Sequence, residues 1–240
     1  MQFLRKLTMG SSARARRSVR GVIFDMDGTL TEPVLDFVKM RARVGAALGR
    51  EVKKDMLAEV EREECEKKRE AAHLAIKEVE REGHEKLKLA SHVDALCAYL
   101  DERNIPRAIL TRNSKESLDY FHGRLPEIPE FHPAVSRDCG FPPKPHPDAL
   151  QHICQNVWGF ATGEVIMIGD SAKDDVRAGK RAGAITVLLG SEAARKDLPD
   201  EEHVPDYRIK DLAEFKGLLE TDFDLLQSEE NIPIEVGVEK

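Results

Sequence analysis

Four short stretches of this 240-residue chain carry side chains that could do chemistry. Asp25-Met26-Asp27-Gly28-Thr29 places two carboxylates two positions apart beside a glycine. Thr111-Arg112-Asn113 offers a hydroxyl, a guanidinium and an amide. Lys144 stands between Pro143 and Pro145, and Gly169-Asp170-Ser171 leads on to the adjacent acids Asp174 and Asp175. Carboxylates as close as Asp25 and Asp27 repel unless a proton or a cation lies between them. A third carboxylate, Asp170, would complete a site for a hard divalent ion. Mg²⁺ fits, because it prefers oxygen ligands, keeps waters and reaches a substrate phosphate. Thr111 can donate to phosphate oxygens, and Lys144 supplies a compact positive charge. Gly28 tolerates a left-handed turn in which amide N–H groups face an anion. A carboxylate nucleophile, an acid/base carboxylate, a metal and an anion cradle together specify phosphoryl transfer through an aspartyl phosphate. Arg112 and Asn113 join Thr111 as candidate substrate-binding residues, Asn113 alternatively supporting its own loop.

Such groups act together only if the backbone brings them together. Residues 22–24, 108–110, 134–135, 165–168 and 185–189 are short, unbroken apolar runs, the pattern of parallel strands buried on both faces. Helix-like segments lie between and around them at 92–102, 115–122, 147–158 and 176–182, and a last clear element spans 212–219. Strand and helix in alternation predict an α/β fold, a Rossmann-like parallel sheet with helices on both faces. In open parallel sheets function gathers at the carboxyl ends of the strands. Three of the four stretches begin there, and Lys144 follows the 134–135 run in a proline-rich loop.

The stretch 50–88 is different. More than half of it is charged, with both signs interleaved, and it contains no proline. Val52, Met56 and Val60, then Ala75 and Val79, recur at helical spacing, so narrow apolar stripes run along otherwise solvated helices. Gly83 is a plausible stop for the second helix. The amino terminus carries six Lys and Arg residues and no acid before Asp25, which suits a transit peptide or a disordered basic tail. The last residues, 227–240, form an acidic tail.

Composition narrows the possible functions. With 41% hydrophobic residues the chain can bury a sizeable core, and a formal net charge of −7 is a poor match for nucleic acid. No apolar run approaches the roughly 18 residues of a membrane helix. The four cysteines form no C-x-x-C pair, which suits a reducing compartment. The expected protein is intracellular and uses no nucleic acid or membrane partner. It is cytoplasmic, or resides in a mitochondrion or plastid if the leader is a transit peptide. Nothing in the sequence sets an oligomeric state.

Asp25-Met26-Asp27-Gly28-Thr29, Thr111, Lys144 and Gly169-Asp170 with Asp174-Asp175, in this order, resemble the four motifs of the haloacid dehalogenase-like hydrolase superfamily, in its phosphatase branch. The likeness runs from about Val19 to Leu219, and the segment from Gly169 looks most like plant-type members with a small cap. It implies a basic leader (1–18), a core in two parts (19–32 and 90–226), a helical cap inserted after the first strand (33–89) and the acidic tail (227–240). The resemblance further implies that Asp25 attacks phosphorus, while Asp27 serves as general acid and then base and ligates Mg²⁺ through its backbone carbonyl. Thr111 and Lys144 would hold the phosphoryl oxygens. Asp170 would be a further metal ligand, with one of the two adjacent acids supporting the metal, Asp175 being favoured because hydrophobic Val176 follows it. Where the family has Pro-Gly before the second motif, this chain has Ala90-Ser91-His92, and Ser91 can cap the helix instead. The substrate implied is a small phosphorylated metabolite, hydrolysed in a phosphatase. Two alternatives use the same residues: a phosphomutase, whose cap shuts water out of the phosphoenzyme, and a non-catalytic phosphate-binding module. The short, highly charged insert suggests a partial lid, hence hydrolysis.

Overall fold

The apolar runs form a parallel sheet with no polar alternation, because both of its faces are covered. The computed structural model describes residues 16–53, 55–124, 130–190 and 200–227. Strand β1 (Arg17–Val19) is followed by β2 (Gly21–Phe24), β3 (Arg107–Leu110), β4 (Ala134–Val135), β5 (Val165–Gly169), β6 (Ile185–Leu189), β7 (Tyr207–Ile209) and β8 (Phe223–Leu225). The main sheet has the order β4-β3-β2-β5-β6-β7, and every neighbouring pair is parallel. From β2 the chain steps outward to β3 and β4, then returns to the other side of β2 for β5, β6 and β7. That reversal opens a crevice beyond the carboxyl ends of β2, β3 and β5.

Alternation along β2 divides the core in two. Val22 and Phe24 pack with Ile109, Ile166 and Ile168 against Leu96, Leu100, Phe121, Phe215 and Leu219. These last five come from α4 (Val93–Asp101), α5 (Lys115–Gly123) and α8 (Leu212–Asp222). Ile23 points the other way, into a cluster with Ala108, Leu110, Met167, Leu150, Ile153 and Trp158. That face is covered by α6 (Asp148–His152), its wider continuation Ile153–Val157, and α7 (Arg177–Ala182). Trp158 lies so close over Gly21 that a Cβ there would come within 2.7 Å of its ring. Helices therefore cover both faces.

Between β2 and α4 the chain forms a three-helix insert, α1 (Phe37–Leu48), α2 (Met56–Glu61) and α3 (Glu66–His84). It has its own small core. Met40, Val44 and Leu48, one stripe at i, i+4 spacing, meet Ala72, Ile76 and Val79 of α3, with Val52 and Val60 closing the cluster. Asp36 and Asp55 cap α1 and α2 by accepting from the N–H of Lys39 and Ala58.

Several expectations change. The insert holds three helices where two apolar stripes were visible, α1 being the addition. Gly83 is not the helix stop itself: α3 runs one residue past it to His84, and a Cβ on the glycine would lie 2.9 Å from the Leu35 side chain. Ser91 does not cap α4. His92 takes the N-cap position in a left-handed conformation, φ 70°, with no side-chain bond. Arg17 and Ser18, counted with the leader, are instead in β1, which pairs in parallel with β8. The rest of the leader to residue 15, and the tail beyond Gln227, lie outside the described residues. Strands β1, β7 and β8 were not foreseen; each has three residues. Among the described residues no helix is long and apolar enough to cross a membrane.

Candidate active site

Strand β2 ends at Phe24, and the next N–H, of Asp25, still donates to the Ile168 carbonyl at 2.9 Å. The ladder thus delivers Asp25 to the crevice in fixed register with β5. The chain then turns, with the N–H groups of Leu30 and Thr31 both donating to the Met26 carbonyl at 2.8 and 3.0 Å. Gly28 sits in this turn at φ 77°, and any Cβ would collide with the Asp170 carboxylate. Only glycine lets the two loops approach this closely.

Asp25, Asp170 and Asp175 converge, each offering a carboxylate oxygen within 4.8 Å of the others. Lys144 joins them from the loop after β4. Its side chain is 2% exposed, and its Nζ donates to Asp25 Oδ1 at 2.5 Å and to Asp175 Oδ1 at 2.6 Å. Burial works against the charged lysine, but Asp175 and Asp25 more than offset it and hold the ammonium protonated. Burial pushes Asp175 upward, against the pull of Lys144. Asp170 is pushed up to about 7, first by burial and then by the charge of Asp25. One lysine does not balance three carboxylates, so the cluster favours a second cation. An all-oxygen donor set of this kind fits a hard divalent ion such as Mg²⁺.

Asp27 is two residues from Asp25 but lies in a different environment. Its carboxylate accepts from the Asn113 amide, and from the Thr31 hydroxyl at 3.3 Å. Burial raises it to about 6, with Asp25 adding to the effect and the Asn113 bond opposing it. Its side chain therefore faces Asn113 rather than the three-carboxylate cluster. Thr111 is buried at the end of β3, where its Oγ1 accepts from the Asn113 N–H at 3.1 Å, leaving the hydroxyl proton to donate elsewhere. Asn113 thus both supports its loop and binds Asp27.

The adjacent acids separate cleanly. Ala172–Val176 is a wide π turn entered from Ser171, whose hydroxyl caps the Asp174 N–H at 3.1 Å. Asp175 turns inward to Lys144 and the Ser171 N–H, whereas Asp174 turns outward to Arg112. Arg112 reaches the crevice with its guanidinium already engaged. It holds both oxygens of Asp55 at 2.8 and 2.6 Å, and Asp174 at 2.8 Å. It bridges the insert and the core across the crevice mouth.

A second bridge was not anticipated. Glu80 of α3, 3% exposed, pairs with Arg137 and accepts from the Ser114 hydroxyl at 2.7 Å. Arg137 in turn donates to the Arg112 carbonyl at 3.1 Å, tying α3 to the Thr111–Asn113 loop. Arg137 lies two residues past the 134–135 run, so the strand-end rule points to it. Glu80 and Asp55 lie inside the charged stretch, where nothing in the sequence distinguishes them. Together the two walls enclose a cavity of about 360 Å³ that contains all the predicted site residues.

Comparison with known proteins agrees with this geometry. The family model of the haloacid dehalogenase-like hydrolases matches residues 19–183. A haloacid dehalogenase-like hydrolase domain-containing protein of Arabidopsis thaliana is 41% identical over 225 residues, covering 89% of each chain. Among solved structures, a hydrolase from Pseudomonas syringae superposes with a TM-score of 0.69 at 19% identity, over 85% of this chain and 100% of that one. The HAD-hydrolase YfnB from Bacillus subtilis, solved bound to magnesium, gives 0.57 at 20% identity over 85% and 100%. At these identities the solved structures establish the fold. The chain belongs to the haloacid dehalogenase-like hydrolases.

Proposed function

We propose that this member of the family is a Mg²⁺-dependent phosphatase that cleaves a small phosphate monoester through a phosphorylated Asp25. The observation that carries the reading is the unequal pair at the end of β2. Lys144 bonds Asp25 Oδ1, leaving Oδ2 for attack, while the neighbouring Asp27 is raised to about 6 and so takes up a proton more readily than an ordinary carboxyl. Two carboxyl groups in contrasting surroundings are how a site divides nucleophile from acid.

The steps follow from these positions. The phosphoryl group enters between Asp25, Thr111 and Lys144, with the Thr111 hydroxyl and the Lys144 ammonium donating to its oxygens. Asp25 Oδ2 forms a bond to phosphorus as the ester P–O bond breaks, and Asp27 gives its proton to the departing alcohol oxygen. Asp27, now a carboxylate, takes a proton from water as that water attacks phosphorus and releases Asp25. Asn113 holds Asp27 in place throughout. Asp25, Asp170 and Asp175, with the Asp27 backbone carbonyl, would hold Mg²⁺, which when bound supplies charge neutralisation and polarises the phosphoryl oxygens. The α1–α3 insert acts as the lid.

The test is release of inorganic phosphate from a generic aryl phosphate with and without Mg²⁺. The reading predicts release only with the ion, and none from Asp25→Asn. Turnover retained by that variant would contradict it. Conversion of a sugar 1-phosphate to its 6-phosphate without free phosphate would favour the mutase alternative.

A further inference from the structure

We propose that the alcohol portion of the substrate carries a planar aromatic ring rather than a polyol chain, an assignment that rests on the phosphatase reading above. The evidence is the wall facing the phosphoryl site. From the insert, Leu35, Phe37, Met40, Met56, Leu57 and Ile76 line the cavity. The polar groups that the insert contributes to the same cavity all have partners within the protein. The Arg41 guanidinium donates to the Val52 carbonyl at 3.0 Å. Asp55 is held by Arg112 and by the Ala58 N–H, and Glu80 by Arg137 and Ser114. A sugar hydroxyl brought against this wall would lose water and meet mostly hydrocarbon and groups already bonded within the protein, a penalty for a polyol but not for a ring.

The wall also has features that suit a ring in particular. Phe37, the first residue of α1, lines the cavity yet remains 59% exposed, so much of its surface is uncovered. Met40 and Met56 add thioethers, which adapt in shape and make favourable contacts at ring edges. Offset or edge-on packing against Phe37 would cover the exposed aromatic surface. The volume of about 360 Å³ lies near the lower end of ligand pockets, room for a phosphate and one ring system.

The experiment compares benzyl phosphate, glucose 6-phosphate and glycerol phosphate under Mg²⁺, all esters of primary alcohols with similar leaving-group chemistry. The expected kcat/KM for benzyl phosphate exceeds that for glucose 6-phosphate by about tenfold or more, the scale on which apolar pockets discriminate. Phe37→Ser and Met56→Ser should each narrow that ratio by raising KM for benzyl phosphate. Their circular dichroism should match the parent. Glucose 6-phosphate turned over as well as benzyl phosphate would overturn the ring assignment while leaving the phosphatase reading intact. A preference unchanged in both variants would also overturn it, since the insert wall would not be its source. Release from none of the three by folded protein with Mg²⁺ would remove the phosphatase reading itself.

Discussion

The two walls of the crevice are built on opposite terms. The core wall takes its groups from the ends of β2, β3 and β5 and the loop after β4; they are polar or ionic, and at its centre Asp25, Lys144 and Asp175 are buried and bonded to one another. The insert wall is mostly hydrocarbon and thioether, with Arg41, Asp55 and Glu80 among it, and its helices possess a small core of their own. Groups that stabilise developing charge must be preorganised, which a doubly covered sheet provides. Groups that select a leaving alcohol need only shape and polarity, which a lid can supply. Among the described residues two ion-pair bridges join the walls at the cavity, one buried at Glu80–Arg137 and one partly exposed at Arg112–Asp55.

The sharpest way to break this comparison is on the core wall. Asp25→Asn should lower kcat by about 10³-fold or more while leaving the insert's packing untouched, as phosphate-release kinetics and circular dichroism would show. Lys144→Ala should abolish activity and also destabilise the fold by about 3–5 kcal/mol in urea titration, because Asp25 and Asp175 lose their buried cation. Next come the bridges. Glu80→Ala leaves Arg137 buried without its carboxylate and should cost about 3 kcal/mol. Asp55→Asn removes a pair whose side chains are 22% and 26% exposed and should cost only about 1 kcal/mol or less. Equal losses in those two variants would mean that the walls are not joined unequally.

The smallest expected effect lies far from the crevice. Burial would raise Asp206, but Lys180 at 2.7 Å and the N–H and hydroxyl of Thr186 at 2.8 and 2.9 Å prevail, so its carboxyl sits below the ordinary 3.8. A carboxyl depressed in the folded state contributes stability above its unfolded pKa and loses it as pH falls through the folded value. Stability should therefore decline below about pH 4, and Asp206→Asn should flatten that decline by a fraction of a kcal/mol, the group being partly exposed. Thermal melts of both proteins across the acid range would measure it.

The core wall was legible in the sequence and the insert wall was not, for a physical reason. Strand ends follow apolar runs, so Asp25, Thr111 and Asp170 could be placed from local pattern alone. Asp174 and Asp175 could not be separated with certainty by local pattern, because a π turn decides which one faces inward. Met40, Val44 and Leu48 form a helical stripe among arginines that only packing against α3 makes evident. Glu80 reads as one more solvated charge, and its partner lies 57 residues away. Arg112 lines the crevice, but its engagement by Asp55 depends on how the insert sits. The three-residue strands β1, β7 and β8 are too short to show a pattern.

The central claim is that Asp25 becomes covalently phosphorylated. Enzyme turning over substrate with Mg²⁺, quenched in acid, reduced with borohydride and digested, should contain homoserine at position 25. An unchanged aspartate there, with homoserine at another position or at none while phosphate is still released, would contradict it.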